Sequence, residues 1–275
     1  MKSFLKTKDH SISGEDFELL YDANLDMLVT HPRPDNLARY YESDVYISHT
    51  DASKSTVEKI YHTVKKYSLA KKVKLISRYA NGKKTLLDFG AGTGDFLSVA
   101  KTENWSVTGV EPNFGAREKS AEKGVELIAD ISEAEQKKFQ VITLWHVLEH
   151  LPNLDRQIKM LVEKLALGGT ILVAVPNYKS YDAQHYKNYW AAYDVPRHLW
   201  HFSKTAIEKL FEPHGLKVVA AQPMIFDAFY VSLLSEKYKT GKPNYIQAFY
   251  RGLRSNIEAW GTKNYSSHIY ILQKP

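Results

Sequence analysis

Three glycines at alternate positions, Gly90, Gly92 and Gly94, follow the apolar run Thr85 to Phe89 and precede a helical pattern that starts at Asp95. Glycines between a strand and a helix let the backbone approach a ligand closely. The acid Asp88 stands two residues before the first of them. A dinucleotide fingerprint needs its third small residue at 95 or 97, and these are Asp95 and Leu97, so a pyrophosphate-binding turn is excluded. A second acid, Glu111, ends the next strand. Further on, His146-x-x-Glu149-His150 collects proton-transferring groups at the end of the fourth strand, and His198 and His201 add two more. The same three residues offer metal-ligand types, but three ligands without a fourth leave the metal expectation at none.

These residues must be positioned by alternating strands and helices. Ser55 to Tyr79 has helical periodicity. Strands are expected at Thr85 to Phe89, Ser106 to Glu111, Val125 to Ala129, Val141 to Trp145, Thr170 to Val175, Leu216 to Ala221 and His268 to Leu272. Helices are expected at Asp95 to Lys101, Gly115 to Lys123, Leu154 to Leu165 and Lys204 to Phe211, the third of these stopped by Gly168 and Gly169. Such alternation implies an α/β fold with a mainly parallel sheet, helices on both faces and ligands at the carboxyl ends of the strands. Residues 1–54 read as irregular, with a turn-rich segment from His31 to Asn36.

The Asp88-x-Gly90-x-Gly92-x-Gly94 turn resembles the first motif of class I S-adenosylmethionine (SAM)-dependent methyltransferases. The resemblance continues through Val110-Glu111-Pro112, Ala129-Asp130-Ile131, the Leu144 to Leu151 segment, which is similar to ubiquinone-methyltransferase-like members, and Val175-Pro176-Asn177. It covers about residues 80 to 220. It implies a Rossmann-like, seven-stranded, mostly parallel sheet whose last strand is antiparallel. It implies SAM as cofactor, with S-adenosylhomocysteine as product. Asp88 would hold the amino-acid end over a floor of Gly90 and Gly92, Glu111 the ribose, and Asp130 the adenine amino group. Ala91, Gly94, Pro112, Ile131, Trp145 and His146 complete the expected cofactor-binding set. Some quinone O-methyltransferases carry Glu-x-x-Glu-His with metal assigned to it, and His146 departs from that pattern. The segment after the strand at Val141 to Trp145 lacks the Asn/Asp-Pro-Pro-aromatic run of base-methylating relatives.

In-line methyl transfer needs alignment, exclusion of water and, for a hydroxyl acceptor, a base. His150, His146 and His198 are the candidates. Residues 177–203 are expected to form a lid, with His198 and His201 facing the acceptor and Trp190, Tyr193 and Trp200 as an apolar wall. Asp194 to Phe202 resembles a segment of methyltransferase-domain proteins of polysaccharide and secondary-metabolite pathways. Those relatives carry a cysteine-bearing, zinc-ribbon-like region before a turn that survives here as Thr30-His31-Pro32-Arg33-Pro34; this chain has no cysteine, leaving residues 1–54 as a cap and 55–275 as the methyltransferase domain. Residues 225–265 form a long insertion in which Tyr245 to Trp260 should be helical and pack over the domain or on a second subunit.

Composition sets the outer limits. The 275 residues are 44% hydrophobic, enough for a full core. Without cysteine, disulfides and thiolate chemistry are excluded. The net charge of +6 comes from 37 basic and 31 acidic residues, and the lysines at 65, 66, 71, 72 and 74 read as a solvated surface. No nucleic acid or membrane partner is expected, and no signal peptide is read, so a cytoplasmic protein, possibly a homodimer, is the expectation. The leading function is methylation of a small-molecule acceptor, on oxygen. The alternative is a non-catalytic SAM-binding or interaction protein on the same fold.

Overall fold

A computed structural model describes residues 1–41, 56–134 and 137–274. Seven strands, β4 (Thr85–Phe89), β5 (Ser106–Val110), β6 (Leu127–Ile128), β7 (Phe139–Trp145), β8 (Leu165–Pro176), β10 (Lys217–Pro223) and β11 (Ser267–Gln273), form one sheet in the order β10-β11-β8-β7-β4-β5-β6. Neighbours from β8 to β6 pair in parallel, while β11 runs antiparallel to both β8 and β10. β11 alone therefore opposes the other six strands, as expected. β7 and β11 are almost wholly buried, which is why they read as continuous apolar runs.

Helices cover both faces. α1 (Thr56–Ser77) and α2 (Asp95–Thr102) pack on one face, where Val73, Ile76, Phe96 and Leu97 meet Leu86, Val141 and Leu172. α4 (Leu154–Lys164) and α6 (Lys204–Phe211) cover the other, where Ile158, Leu161, Ile207 and Phe211 meet Leu87, Ile142 and Val173. α3 (Phe114–Ala121) follows β5 and is capped by Asn113, which accepts from the Ala116 amide. The glycine pair does not stop α4 as expected: the helix ends at Lys164, and β8 begins at Leu165 and carries Gly168 and Gly169 within it.

The amino-terminal region is not irregular. β1 (Lys2–Lys8), β2 (Asp16–Asp22) and β3 (Met27–His31) form an antiparallel sheet, completed by β9 (Trp200–His201), which pairs with β3. Its strands escape sequence reading because β1 exposes most of its side chains, so no buried face marks it. Residues 42–54 of the expected cap, and residue 55 at the start of the expected methyltransferase domain, lie outside the described residues. The sheet shares a third core with the lid: Phe17, Leu19 and Leu28 pack with Tyr186, Trp190 and Tyr193. The insertion forms a helical hairpin, α7 (Asp227–Thr240) and α8 (Tyr245–Thr262), packed against the lid helix α5 (Tyr181–Tyr186).

Candidate active site

The turn after β4 sits at the carboxyl edge of the sheet. Gly90 adopts φ +77°, and a Cβ there would come within 2.4 Å of a Val147 methyl. Gly92, at φ +54°, has nothing within 4 Å of where a Cβ would stand, so its backbone faces open space. The Gly92 amide donates to Glu111 at 2.9 Å, and the other oxygen of Glu111 accepts from the Asn113 amide, also at 2.9 Å. Glu111 is thereby fixed beside the turn with lone pairs to spare. Gly94 caps α2.

A cavity of about 280 Å³ opens here, lined by Lys65, Lys72, Asp88, residues 90–93, Phe96 and Trp145. Asp88 is buried and accepts from the Thr143 hydroxyl at 2.7 Å. Burial pushes its carboxyl upward, against the Thr143 hydrogen bond and the Lys72 charge, with Glu111 adding to the rise. The Lys72 ammonium stands over the Trp145 ring, 4.2 Å from its centroid, and burial pulls its pKa down against Asp88 and Asp227. Lys65 pairs with Asp95 at 2.8 Å.

The expected cofactor set is therefore brought together in part. Asp88, Gly90, Ala91, Gly92 and Trp145 line the cavity and Glu111 is tied to its rim. Pro112 and Asp130 are exposed and Ile131 is buried, outside the lining. The Ser132 hydroxyl, and then the Ser132 amide, which donates to the Asp130 carboxylate at 2.8 Å, hold that carboxylate below its ordinary pKa. Lys65 and Lys72 were missed because a lysine cluster read as surface. The signal was the spacing 65, 69, 72, which puts both lysines on one face of α1 with Leu69.

Beyond β7, His146 takes φ +56° and lies between two carboxylates, 3.3 Å from Glu149 and 3.1 Å from Asp227 at the start of α7. Burial opposes its charge, but Asp227 and then Glu149 outweigh that and raise it to about 10. It is an imidazolium clamp at neutral pH. Asp227 was outside the expected set, 81 positions away in sequence.

Glu149 and His150 lie on the short 3₁₀ turn Leu148–His150. Glu149 is fully buried, and neither carboxylate oxygen accepts a hydrogen bond among the described residues; the contact with His146 is an ion pair by distance, not a hydrogen bond by angle. Burial would raise its pKa, yet His146, His198 and His150 hold it below the ordinary carboxylate value. His150 Nδ1 lies 3.0 Å from the Arg197 carbonyl and 3.1 Å from the Tyr41 hydroxyl, and its ring meets that of His198 edge-on at 4.5 Å. His198 Nδ1 lies 2.9 Å from the Ala192 carbonyl. A carbonyl accepts only, so each Nδ1 carries a proton, and in a neutral His150 it is Nε2 that keeps the lone pair. Burial, then the His198 charge, pushes His150 down to about 4. One donor atom each from Glu149, His150 and His198 lie within 4.8 Å of one another, a carboxylate and two imidazoles of the kinds that hold a metal ion.

Within the lid segment His198 stands against His150, while the other expected acceptor-facing side chains are placed differently. His201 is buried, 3.0 Å from the Thr30 hydroxyl, rather than facing an acceptor. Trp190 and Tyr193 pack into the third core, and the Trp200 indole donates to the Leu151 carbonyl at 2.8 Å. Arg197 is buried and pairs with Asp9 of the amino-terminal region at 2.8 Å and with Asp194 at 2.7 Å, joining that region to the lid.

A family model described as a methyltransferase domain matches residues 61–221. Among solved structures, the chain is similar to a SAM-dependent methyltransferase from Archaeoglobus fulgidus, with a TM-score of 0.51 and 17% identity over 76% of this chain and 94% of that one. It is also similar to magnesium protoporphyrin IX methyltransferase from Synechocystis PCC 6803 with bound S-adenosylhomocysteine, with a TM-score of 0.53 and 13% identity over 86% and 92%. A third is phosphoethanolamine N-methyltransferase 2 from Haemonchus contortus, with a TM-score of 0.52 and 16% identity over 75% and 52%. No curated protein matches the sequence.

Proposed function

The chain belongs to the methyltransferase-domain family, whose cofactor is SAM, and from that membership we propose that it methylates an oxygen of a small-molecule acceptor, with His150 as the base. The residues fit the cofactor on their own chemistry. The cavity combines a buried acid, an ammonium and open backbone at Gly92, and Trp145, on its wall, has a buried indole N–H without a partner among the described residues. Asp88 and Lys72 would take the two charged groups of the amino-acid end, and Glu111 the ribose hydroxyls. When bound, SAM supplies a methyl group on a sulfonium, an electrophile that needs no covalent help from the protein.

The observation that carries the reading is the pair of imidazoles set over Glu149, each with Nδ1 committed to a carbonyl, so that His150 has Nε2 left to accept. A lowered pKa keeps His150 neutral at pH 7, the state in which it can take a hydroxyl proton. Glu149 would stabilise the imidazolium so formed. His146, already charged, cannot serve as base and positions Glu149 instead. His198 would orient the acceptor. The α7 start and the lid segment exclude water from this side.

The test is S-adenosylhomocysteine release from SAM with hydroxyl, carboxyl and amine acceptor panels. Turnover with a hydroxyl acceptor, falling about a hundredfold or more in His150→Gln at unchanged S-adenosylhomocysteine affinity, is the expected result. Turnover confined to amines overturns the assignment to oxygen. Tight cofactor binding without turnover on any acceptor favours a non-catalytic SAM-binding protein.

A further inference from the structure

We propose that α8, with the adjoining end of α7, is a docking surface for an anionic lipid bilayer. The proposal stands apart from the methyl acceptor, because none of its side chains lines the cofactor cavity or touches the histidine cluster.

α8 is built backwards for a core helix. The residues it buries are small: Ala248, Gly252, Ser255 and Ala259. The fit is close, since a Cβ on Gly252 would lie 2.7 Å from the Phe229 ring of α7. Ser255 donates to Asp182 at 2.7 Å, and Asn256 donates to the Ile225 carbonyl at 2.9 Å, so polar bonds complete the anchoring. The large apolar side chains point the other way. Ile246 (85% exposed), Phe249 (62%), Leu253, Ile257 and Trp260 (68%) recur at steps of three and four, which puts them on one stripe about 21 Å long. Scattered exposed apolar residues need no explanation, but a contiguous stripe does. The apolar surface continues at the start of α7, where exposed Phe226 meets Tyr67 of α1 edge-on at 6.1 Å.

Charge decides the occupant. In residues 225–265, Lys237, Lys239, Lys242 and Lys263 are exposed, and Lys71 lies over the Tyr67 ring at 4.7 Å. The acids of the same stretch are largely committed: Asp227 to His146, buried Glu236 to the Tyr186 hydroxyl, and Glu258 to Arg254 at 3.7 Å. A second copy would set one basic rim against another. An anionic headgroup layer complements the rim, while the stripe enters the boundary beneath it, the arrangement of a helix lying in the plane of a membrane. That no helix among the described residues is long and apolar enough to cross a membrane does not bear on a helix that lies flat.

The test is flotation of the full chain with phosphatidylcholine vesicles, with and without phosphatidylglycerol. The expected result is flotation with the anionic vesicles only, weakened by salt. The triple variant Ile246→Ser, Phe249→Ser, Trp260→Ser should lose about tenfold or more of that binding while keeping the wild-type melting temperature and S-adenosylhomocysteine affinity. Should that variant misfold, Lys237→Glu with Lys242→Glu serves in its place and should lose anionic-vesicle binding. Folded wild-type protein that stays unbound, or variants that float as well as wild type, overturn the proposal. A dimer in sedimentation velocity that the triple variant dissociates, with no vesicle binding, assigns the surface to a second copy and overturns it too.

Discussion

The turn after β4 and the cluster beyond β7 lie along one edge of one sheet, yet their polar groups are held in opposite ways. At the turn, Glu111 is gripped by backbone amides and the acid and lysines border a 280 Å³ cavity open to a ligand. Around Glu149 the groups are closed in by the lid and the four-stranded sheet, and their protonation is set by burial and by one another. The first region gains its affinity from donors already aimed at a guest. The second keeps a carboxylate dry, and such a group is poised only while its shell is intact. Breaking the shell should therefore cost stability, whereas trimming the cavity should cost binding.

The largest effect should come from Arg197→Met. It removes the counter-charge of Asp9, which Arg197, with the Ser13 amide and the Ser11 hydroxyl, holds well below the ordinary carboxylate value despite burial, and leaves that buried carboxylate to its local hydrogen bonds alone. A loss of about 3–5 kcal/mol is expected in denaturant unfolding. A loss under about 1 kcal/mol would mean that the sheet and lid are joined by apolar packing alone.

Next is a pH dependence confined to the closed region. The native pKa of His146 is raised from 6.5 to about 10. Its contribution is therefore complete below pH 6.5 and is lost as pH rises to about 10. The stability gap between wild type and His146→Gln should narrow across that window, by about 1–2 kcal/mol once solvent screening at this partly exposed ring is allowed for. His150 has the opposite sign: lowered from 6.5 to about 4, it contributes above pH 6.5 and loses that contribution as pH falls toward 4. A gap independent of pH would remove the imidazolium clamp from the comparison.

At the cavity, Glu111→Ala should weaken S-adenosylhomocysteine by about 2–3 kcal/mol in calorimetry. Its melting temperature should move less than that of Arg197→Met. The finest distinction is Lys72→Met, expected to weaken S-adenosylhomocysteine by about 1.5 kcal/mol. Methylthioadenosine, which lacks the amino-acid end, should bind the variant as it binds wild type. Equal losses for both ligands would take Lys72 away from the carboxylate and make it a wall of the cavity.

The open region is also the one the sequence disclosed. Strand, glycine turn, helix and the acid ending β5 are local patterns, and each falls within one or two residues of its expected place. α6 and the helical character of α8 were readable for the same reason. The closed region was legible only as a set of residue types. His146, Glu149 and His150 could be named, but Asp227, which charges His146, stands 81 positions away, and His198 stands 48 from His150. His201 and Trp190, expected at an acceptor, belong to packing that needs β3 and the amino-terminal sheet.

The sequence by itself determined the order of the seven strands of the main sheet and of the helices between them, the α/β class and the cofactor turn, because periodicity and backbone freedom act over a few residues. Tertiary structure alone decided which histidine is charged, which is neutral, and that Lys72 faces a cavity instead of solvent. Those properties depend on burial and on partners brought from distant elements, and a proton's free energy on a side chain is fixed by that surrounding, not by the residue's neighbours in the chain.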